Sequence, residues 1–500
     1  MKIAPFGSFL LLLINVSLAA AQSPVPAVTV AWDKTITASK TIFGIQVCPE
    51  PPLRRGASIH DPLWAAMRDA KVDMARLQPW FPYPRIGVAE LEPPKDGKTS
   101  WDFSLIDPIV EDFMNAAEGR PVMLNFSTIP QWMFVTGKPV GYPSDPDEID
   151  NDYGVGNELR DPSMKELVGY YHRFLSWYLK GGFTDEYGMW HASGHHYKLN
   201  YWEVLNEVDQ EHTLTPAQYT AMYDAIVADL HQLDPSLKFS GPALAFRNTA
   251  FIRYFLDPAH HAPGIPLDMY SFHFYSQPKS DESLDVQQHT IFNQADTLMV
   301  SVQHMDDIRR QLSPNTKLFI NELGSFSNTL VSPASTFPDR YWTLTAGLFA
   351  YLYPRLVEKG VDYIGAAELI DYPGQAADTT LVDWNTGRPN ARYWAMRLLN
   401  DNFHPGDRLV SASHPGDGFD AHAFVTAAGR HKILLLNMSN HDTPVDVPGA
   451  KGASIEYVDQ TTNFSPARSN ILESDRVVLR PEMIAVLTLR ASPHESKTTK

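Results

Sequence analysis

A single cysteine, Cys48, stands among the 500 residues. It excludes an intrachain disulfide, and a chain of this size buries enough apolar surface to fold without one. Basic runs are also missing. Lys and Arg number 41 against 58 Asp and Glu, a formal net charge of −17. Nucleic acid is held by clustered cations, so it is excluded as a partner, and the surplus of acid serves solubility. Beyond the first twenty residues no apolar stretch is long enough to span a membrane. There is no internal repeat. No glycine-rich turn follows the first strand-like segment. Cys48-Pro49-Glu50-Pro51-Pro52 stands there instead and cannot cradle a phosphate, which argues against an open doubly wound sheet.

What is present has a clear order. Lys2, the mostly apolar run Phe9 to Leu18 and the small residues Ala19-Ala20-Ala21 predict a signal peptide over residues 1–21. The mature chain is then secreted or periplasmic, with no stable membrane anchor, since no cysteine follows the cleavage site to take a lipid. From residue 40 short apolar runs alternate with helical patterns. The runs are 42–47, 72–77, 121–126, 199–205, 237–240, 269–274, 317–320 and 363–367; the helical patterns include 61–70, 105–117, 164–179, 216–233, 295–311 and 340–359. Eight strands each followed by a helix predict an α/β fold, a (β/α)₈ TIM barrel over 40–403. From 404 to 491 the pattern changes to short strands and turns, which predicts a C-terminal antiparallel β-sandwich domain, joined by an early strand within 27–37. The polar end, 492–500, reads as a disordered tail.

Such barrels work at the C-terminal ends of their strands. The fourth run ends in Glu203-Val204-Leu205-Asn206-Glu207 and the seventh in Ile320-Asn321-Glu322-Leu323-Gly324. A barrel brings both ends to one mouth. Two carboxyl groups held apart in pKa are what cleavage of a glycosidic bond needs. Arg76, at the end of the second run, is a cation able to keep one of them ionised. In Ser271-Phe272-His273-Phe274-Tyr275 strand alternation puts His273 and Tyr275 on one side. Tyr275 is placed to hydrogen-bond a carboxylate, and His273 a sugar hydroxyl. Trp132, after the third run, is a candidate face for stacking on a sugar.

These residues resemble glycoside hydrolase clan A and, within it, family 39, which holds β-xylosidases and α-L-iduronidases. The resemblance covers roughly residues 40–400. It implies that Asn206-Glu207 carries the acid/base, Glu207, with Asn206 contacting substrate, and that Glu322 is the nucleophile of a retaining enzyme. His273 and Tyr275 look like the family's sixth-strand pair, and Asp383-Trp384-Asn385-Thr386-Gly387 like the stretch that closes such barrels. The chain departs from the pattern at two strand ends. Glu368 and Asp371 stand in Ala367-Glu368-Leu369-Ile370-Asp371, where the clan commonly has a Trp beneath the sugar, unless Trp384 folds back into that place. Gln46 stands near the end of the first run, which lacks the His expected of family xylosidases.

The expected activity is therefore a secreted, retaining glycoside hydrolase acting on an oligo- or polysaccharide without a metal or cofactor. Long insertions at 78–104 and 127–162 predict a walled cleft and hence an exo-acting, β-xylosidase-like enzyme. An endo-acting glycanase and a non-catalytic carbohydrate-binding protein remain open as alternatives. A metal hydrolase built on His191, His195 and His196, or on His260 and His261, is disfavoured, because the first cluster precedes the fourth strand and so lies at the wrong end of the barrel.

Overall fold

The computed structural model describes residues 25–137, 141–150, 156–327, 337–371, 373–374, 376–414 and 418–490. The expected signal peptide and tail lie outside them. Eight parallel strands close into a barrel: Ile42–Val47, Met74–Leu77, Val122–Leu124, Tyr201–Glu203, Lys238–Leu244, Met269–Ser276, Lys317–Ser325 and Tyr363–Ala366. The helices between them pack outside, as the apolar spacing requires. The helix Pro216–Leu233 starts at Thr215, whose side chain accepts from the Gln218 amide while Gln218 reaches back, with Pro216 in the first turn. The expected helix over 295–311 is the end of a longer one, Leu284–Leu312, and Thr249–Leu256 and Ala391–Asn402 add two that the spacing missed. Among the described residues no helix is long and apolar enough to cross a membrane.

Strand alternation sorts the barrel interior into layers. At the N-terminal end Met74, Met123, Met269, Phe319 and Tyr363 form a separate apolar plug. Gly44 and Gly365 make room for the Tyr363 ring and the neighbouring backbone: a Cβ on Gly44 would lie 2.0 Å from Tyr363 Oη, and one on Gly365 2.4 Å from Asn321 O. Two residues further along each strand the lining turns polar, with Gln46, Arg76, Asn125, Glu203, Ser240, Ser271 and Asn321, all buried. One more step reaches the mouth. A register shift between Ile320 and Glu322 leaves Asn321 without a partner opposite the sixth strand. Such a bulge lets consecutive residues face inward, so Asn321 reaches the polar layer and Glu322 the mouth.

Beyond the barrel a seven-stranded antiparallel sheet contains the early strand Thr29–Ala38, paired to Arg408–Ser413, and a two-stranded ribbon, Thr443–Asp446 with Arg476–Leu479, makes the second layer. The sheet is buried on both faces. Phe424, Leu434 and Leu436 join the barrel's core, while Ala423, Ile433 and Leu435 join the apolar cluster under the ribbon. That double burial is why Ile433 to Leu436 reads as an unbroken apolar run. Phe424 stacks near Phe403 and Tyr353, with ring centroids 4.6 and 5.9 Å away. Arg355 on a barrel helix donates to Asp420 of the sheet at 2.5 Å.

Candidate active site

Glu203 organises the polar layer from below. Its carboxylate accepts from Arg76 Nε at 2.7 Å, Asn125 Nδ2 at 2.7 Å, Ser240 Oγ at 2.9 Å, Ser271 Oγ at 2.7 Å and Asn321 Nδ2 at 2.9 Å. A buried charge needs such company. Arg76 is fully buried and spends its other donors upward, on Glu322 Oε1 at 2.7 Å, Asn206 Oδ1 at 2.7 Å and Gln46 Oε1 at 2.5 Å. Burial works against its charge, but Glu203 and Glu322 outweigh burial, and its pKa is raised. One guanidinium thus ties together residues from three other strand ends.

Glu207 and Glu322 meet at the mouth. Tyr275 donates to Glu322 Oε2 at 2.7 Å, and His273 Nδ1 lies 2.9 Å from Glu207 Oε1 and 3.2 Å from Glu322 Oε2. The ligand atoms of Glu207, His273 and Glu322 all lie within 4.8 Å of one another. The two carboxyls differ in environment. Burial raises the pKa of Glu207, and the Glu322 charge adds to it against the bond from His273. Burial also works on Glu322, but His273, Arg76 and Tyr275 overcome it and hold Glu322 below the usual carboxylate range. The two shifts have opposite signs, so the proton is favoured on Glu207 and the charge on Glu322. Glu207 also sits at φ 38°, two residues after Leu205 at φ 60°. Left-handed backbone at such residues costs on the order of 1–3 kcal/mol each and persists where surrounding contacts enforce it.

A cavity of about 800 Å³ opens over this pair, lined by Asn206, Glu207, Tyr275, Glu322, Glu368 and Asp371 among others. Arg76 and His273 lie beneath it. His273 Nδ1 faces the two carboxylates, while its buried Nε2 has no partner among the described residues. Two expected aromatic contacts are corrected. Trp132 does not line the cavity: its indole N–H donates to Glu90 O at 2.8 Å, and Arg160 covers its ring at 4.5 Å. Trp384 does not fold back. It sits on a turn tied by Asp383, which accepts from the Asn385 and Thr386 amides, and it packs against the barrel core. The aromatics in the cavity wall are Trp80, Phe246, Phe274, Tyr275 and Phe326, with Phe246 60% exposed. Sequence reasoning gave no role to Gln46, Glu50, Gln78, Glu203 or Glu211. A polar residue two positions after an inward apolar one is the signal that finds Gln46 and Glu203.

The histidine clusters lie elsewhere. His191, on the hairpin Gly182–Thr184 with Trp190–Ala192, pairs with Asp185 at 2.8 Å, and His261 with Asp224 at 2.6 Å. Among the described residues the set close enough to bind a metal is Glu207, His273 and Glu322. Arg76 already balances Glu322 there, so the arrangement suits sharing of protons.

A barrel with two carboxyls of opposed pKa at its mouth is the framework of a carbohydrate-cleaving hydrolase, and the comparisons agree. The sequence model described as Glycosyl hydrolases family 39 matches residues 176–347, which hold Glu207, His273, Tyr275 and Glu322. The chain is a glycoside hydrolase, similar to family 39 and to its clan over that stretch. No curated protein sequence matches it. Solved structures share the fold at low identity. The GH51 arabinofuranosidase from Xanthomonas axonopodis pv. citri is 11% identical, with TM-score 0.63, over 93% of this chain and 100% of its own. A glucosidase from Croceicoccus marinus is 15% identical, with TM-score 0.59, over 94% and 99%. A GH30 endoxylanase from Clostridium papyrosolvens is 14% identical, with TM-score 0.55, over 93% and 100%.

Proposed function

We propose that this glycoside hydrolase acts with retention of configuration, with Glu322 as nucleophile and Glu207 as acid/base. The observation that carries the reading is the placement of the two carboxyls, whose nearest oxygens lie within 4.8 Å with opposite pKa shifts. Retaining enzymes hold their carboxyls about 5–5.5 Å apart, and inverting ones roughly 6.5–9.5 Å, to admit a water. Glu322 attacks the anomeric carbon and forms a glycosyl ester as the bond to the leaving oxygen breaks. Glu207 gives that oxygen its proton. Glu207, now a carboxylate, then takes a proton from water as the water attacks the anomeric carbon, which frees the sugar and restores Glu322. Proton NMR of the first-formed sugar tests this: net inversion by the wild-type enzyme refutes it.

For the mode of attack, cleavage within a glycan chain is the better-supported reading over an exo-acting xylosidase. The exo expectation rested on walls from the insertions at 78–104 and 127–162. Among the described residues only Gln78 and Trp80 of these line the cavity, which continues past Glu207 to Gln294, Thr297 and Ser301 on the long helix. Its volume of about 800 Å³ lies in the upper part of the ~300–1,000 Å³ range of ligand sites. The leader-like N-terminus supports action outside the cytoplasm. Product sizing on polysaccharides separates the modes: a ladder of oligosaccharides from the first minutes supports internal cleavage, and release of single sugars alone refutes it.

A further inference from the structure

We propose that the sugar bound on the Glu322 side of the scissile bond carries a primary ammonium group, held by Glu368 and Asp371. The proposal rests on the glycosidase reading and names its substrate class. Where Gln46 leaves Arg76 it donates through Nε2 to Glu368 Oε1 at 2.5 Å, so Glu368 stands one side chain beyond the guanidinium that holds the nucleophile. A ring bonded to Glu322 therefore reaches Glu368. Asp371 lines the same wall, and Glu50 lies behind it, fully buried.

Among the described residues the cation that lines the cavity is Arg247, beside Ala245 and Phe246 after the fifth strand, and none stands next to Glu368 and Asp371. The nearest guanidiniums are committed elsewhere, Arg76 to Glu203 and Glu322 at 2.7 Å, and Arg392 to Asp378 O and Ala367 O at 2.9 and 3.0 Å. Glu368 Oε2 has no hydrogen-bond partner. A second, uncharged group points the same way. Gln78 is 1% exposed and lines the cavity; its Oε1 accepts from Cys48 Sγ at 3.0 Å, and its Nε2 has no partner. A buried donor and a buried acceptor left open beside the nucleophile are groups that a ligand completes. A sugar hydroxyl accepts from Gln78, and an ammonium donates to Glu368 and Asp371. Burial, then Asp371 and Glu322, push Glu368 well above the usual carboxylate range, and burial pushes Asp371 up to about 7. A cationic sugar draws both into their charged forms, whereas a uronate adds a further negative charge to the cluster. Among the described residues the set close enough to bind a metal lies at the mouth, and Glu50, Glu368 and Asp371 are not part of it.

The test uses the full chain and nitrophenyl pyranosides of both anomers, with an amine at C2, C3, C4 or C6, against their hydroxyl, acetamido and uronate counterparts. One amino sugar is expected to exceed its hydroxyl counterpart in kcat/KM by at least about tenfold, the ratio set by 1.4 kcal/mol. Glu368→Gln should erase that preference while leaving hydrolysis of the hydroxyl sugar measurable. Equal rates for amine and hydroxyl across the panel overturn the proposal, as does an unchanged preference in Glu368→Gln. If none of these single-sugar glycosides is cleaved, as an enzyme that cuts within chains allows, the product ladder on polysaccharides tests the glycosidase reading separately. Calorimetry with methyl amino-deoxy pyranosides then decides the site, tighter binding than the methyl hydroxyl sugar supporting the ammonium pocket and equal binding refuting it.

Discussion

Replacing Tyr275 by Phe removes one atom from the site and separates the two chemical steps. The Tyr275 hydroxyl donates to Glu322 Oε2 at 2.7 Å, inside a buried pocket. Its own pKa is raised well above the phenol range by burial and by Glu322, so it remains a donor at every working pH. A hydrogen bond to a charged group is worth about 1.5–3 kcal/mol. At 1.36 kcal/mol per pKa unit its loss raises Glu322 by about 1–2 units. Arg76 and His273 remain, which favours the lower figure. Glu322 is depressed in the folded enzyme, so activity is present above its pKa and lost as pH falls through it. The acid limb of kcat/KM should therefore move upward by about one unit. The donor matters most when Glu322 is an anion. It is neutral in the glycosyl ester and regains charge when water displaces it, so the second step should slow by about tenfold, at 1.36 kcal/mol per decade. With a nitrophenyl glycoside, stopped-flow traces should show a burst of phenolate followed by a slower steady state. An acid limb that stays in place, or moves to lower pH, refutes the assignment of Tyr275 as a stabiliser of the nucleophile's charge.

Four other outcomes follow from the same contacts. Glu322→Ala should reduce turnover by at least about 10³-fold, some 4 kcal/mol, and added azide should give a glycosyl azide of inverted configuration, identified by NMR. Glu207→Ala should spare the first step for substrates with good leaving groups, so mass spectrometry should find the glycosyl-enzyme accumulating; no adduct with such a substrate contradicts the role. In His273→Phe both limbs of the pH profile should move to higher pH, because His273 lowers Glu207 as well as Glu322; opposite movements of the limbs refute the bridging role. Glu203→Leu leaves Arg76 with half its charge partners in a buried layer, and breaking such a pair costs about 3–5 kcal/mol, which a lower urea midpoint at unchanged slope should register.

The barrel was legible because each strand is an apolar run of the right length, and the runs at 42–47 and 269–274 fall on observed strands. Helices such as Pro216–Leu233 carry both a cap and a periodic face. Thr249–Leu256 was hidden by its shortness, with only two turns and a Phe at each end of its apolar face. In the C-terminal region Arg408–Ser413 lies inside the sheet between Thr29–Ala38 and Phe419–Val425, Thr443–Asp446 in the ribbon and Arg468–Ile471 at the sheet edge, and the partners of all three supply their register. At the mouth, strand alternation suffices to put His273 beside Tyr275. It does not say that Nδ1 faces two carboxylates, because that depends on a strand neighbour 49 positions away in the sequence (322 − 273), brought alongside at Glu322. The tryptophans failed for a related reason. An indole near a strand end looks alike whether its N–H meets a sugar or, like that of Trp132, a backbone carbonyl.

The polar layer explains how a barrel this apolar shifts two acids in opposite directions. Glu203 neutralises Arg76 from below, so Arg76 is not spent on Glu322 alone. Through Asn206 the same guanidinium steadies the residue before Glu207, and Asn206 in turn donates to Glu211 at 2.9 Å. Through Gln46 it reaches Glu368. Glu322, Asn206, Gln46 and, through Gln46, Glu368 are thus referred to one buried cation, while His273 and Tyr275 come from a single strand whose alternation fixes them together. In a desolvated cavity the position of a fixed charge decides which carboxyl ionises. Glu322 touches Arg76 and Glu207 does not. That difference in contact, set by a bulge on the seventh strand, is what divides the proposed nucleophile from the proposed acid.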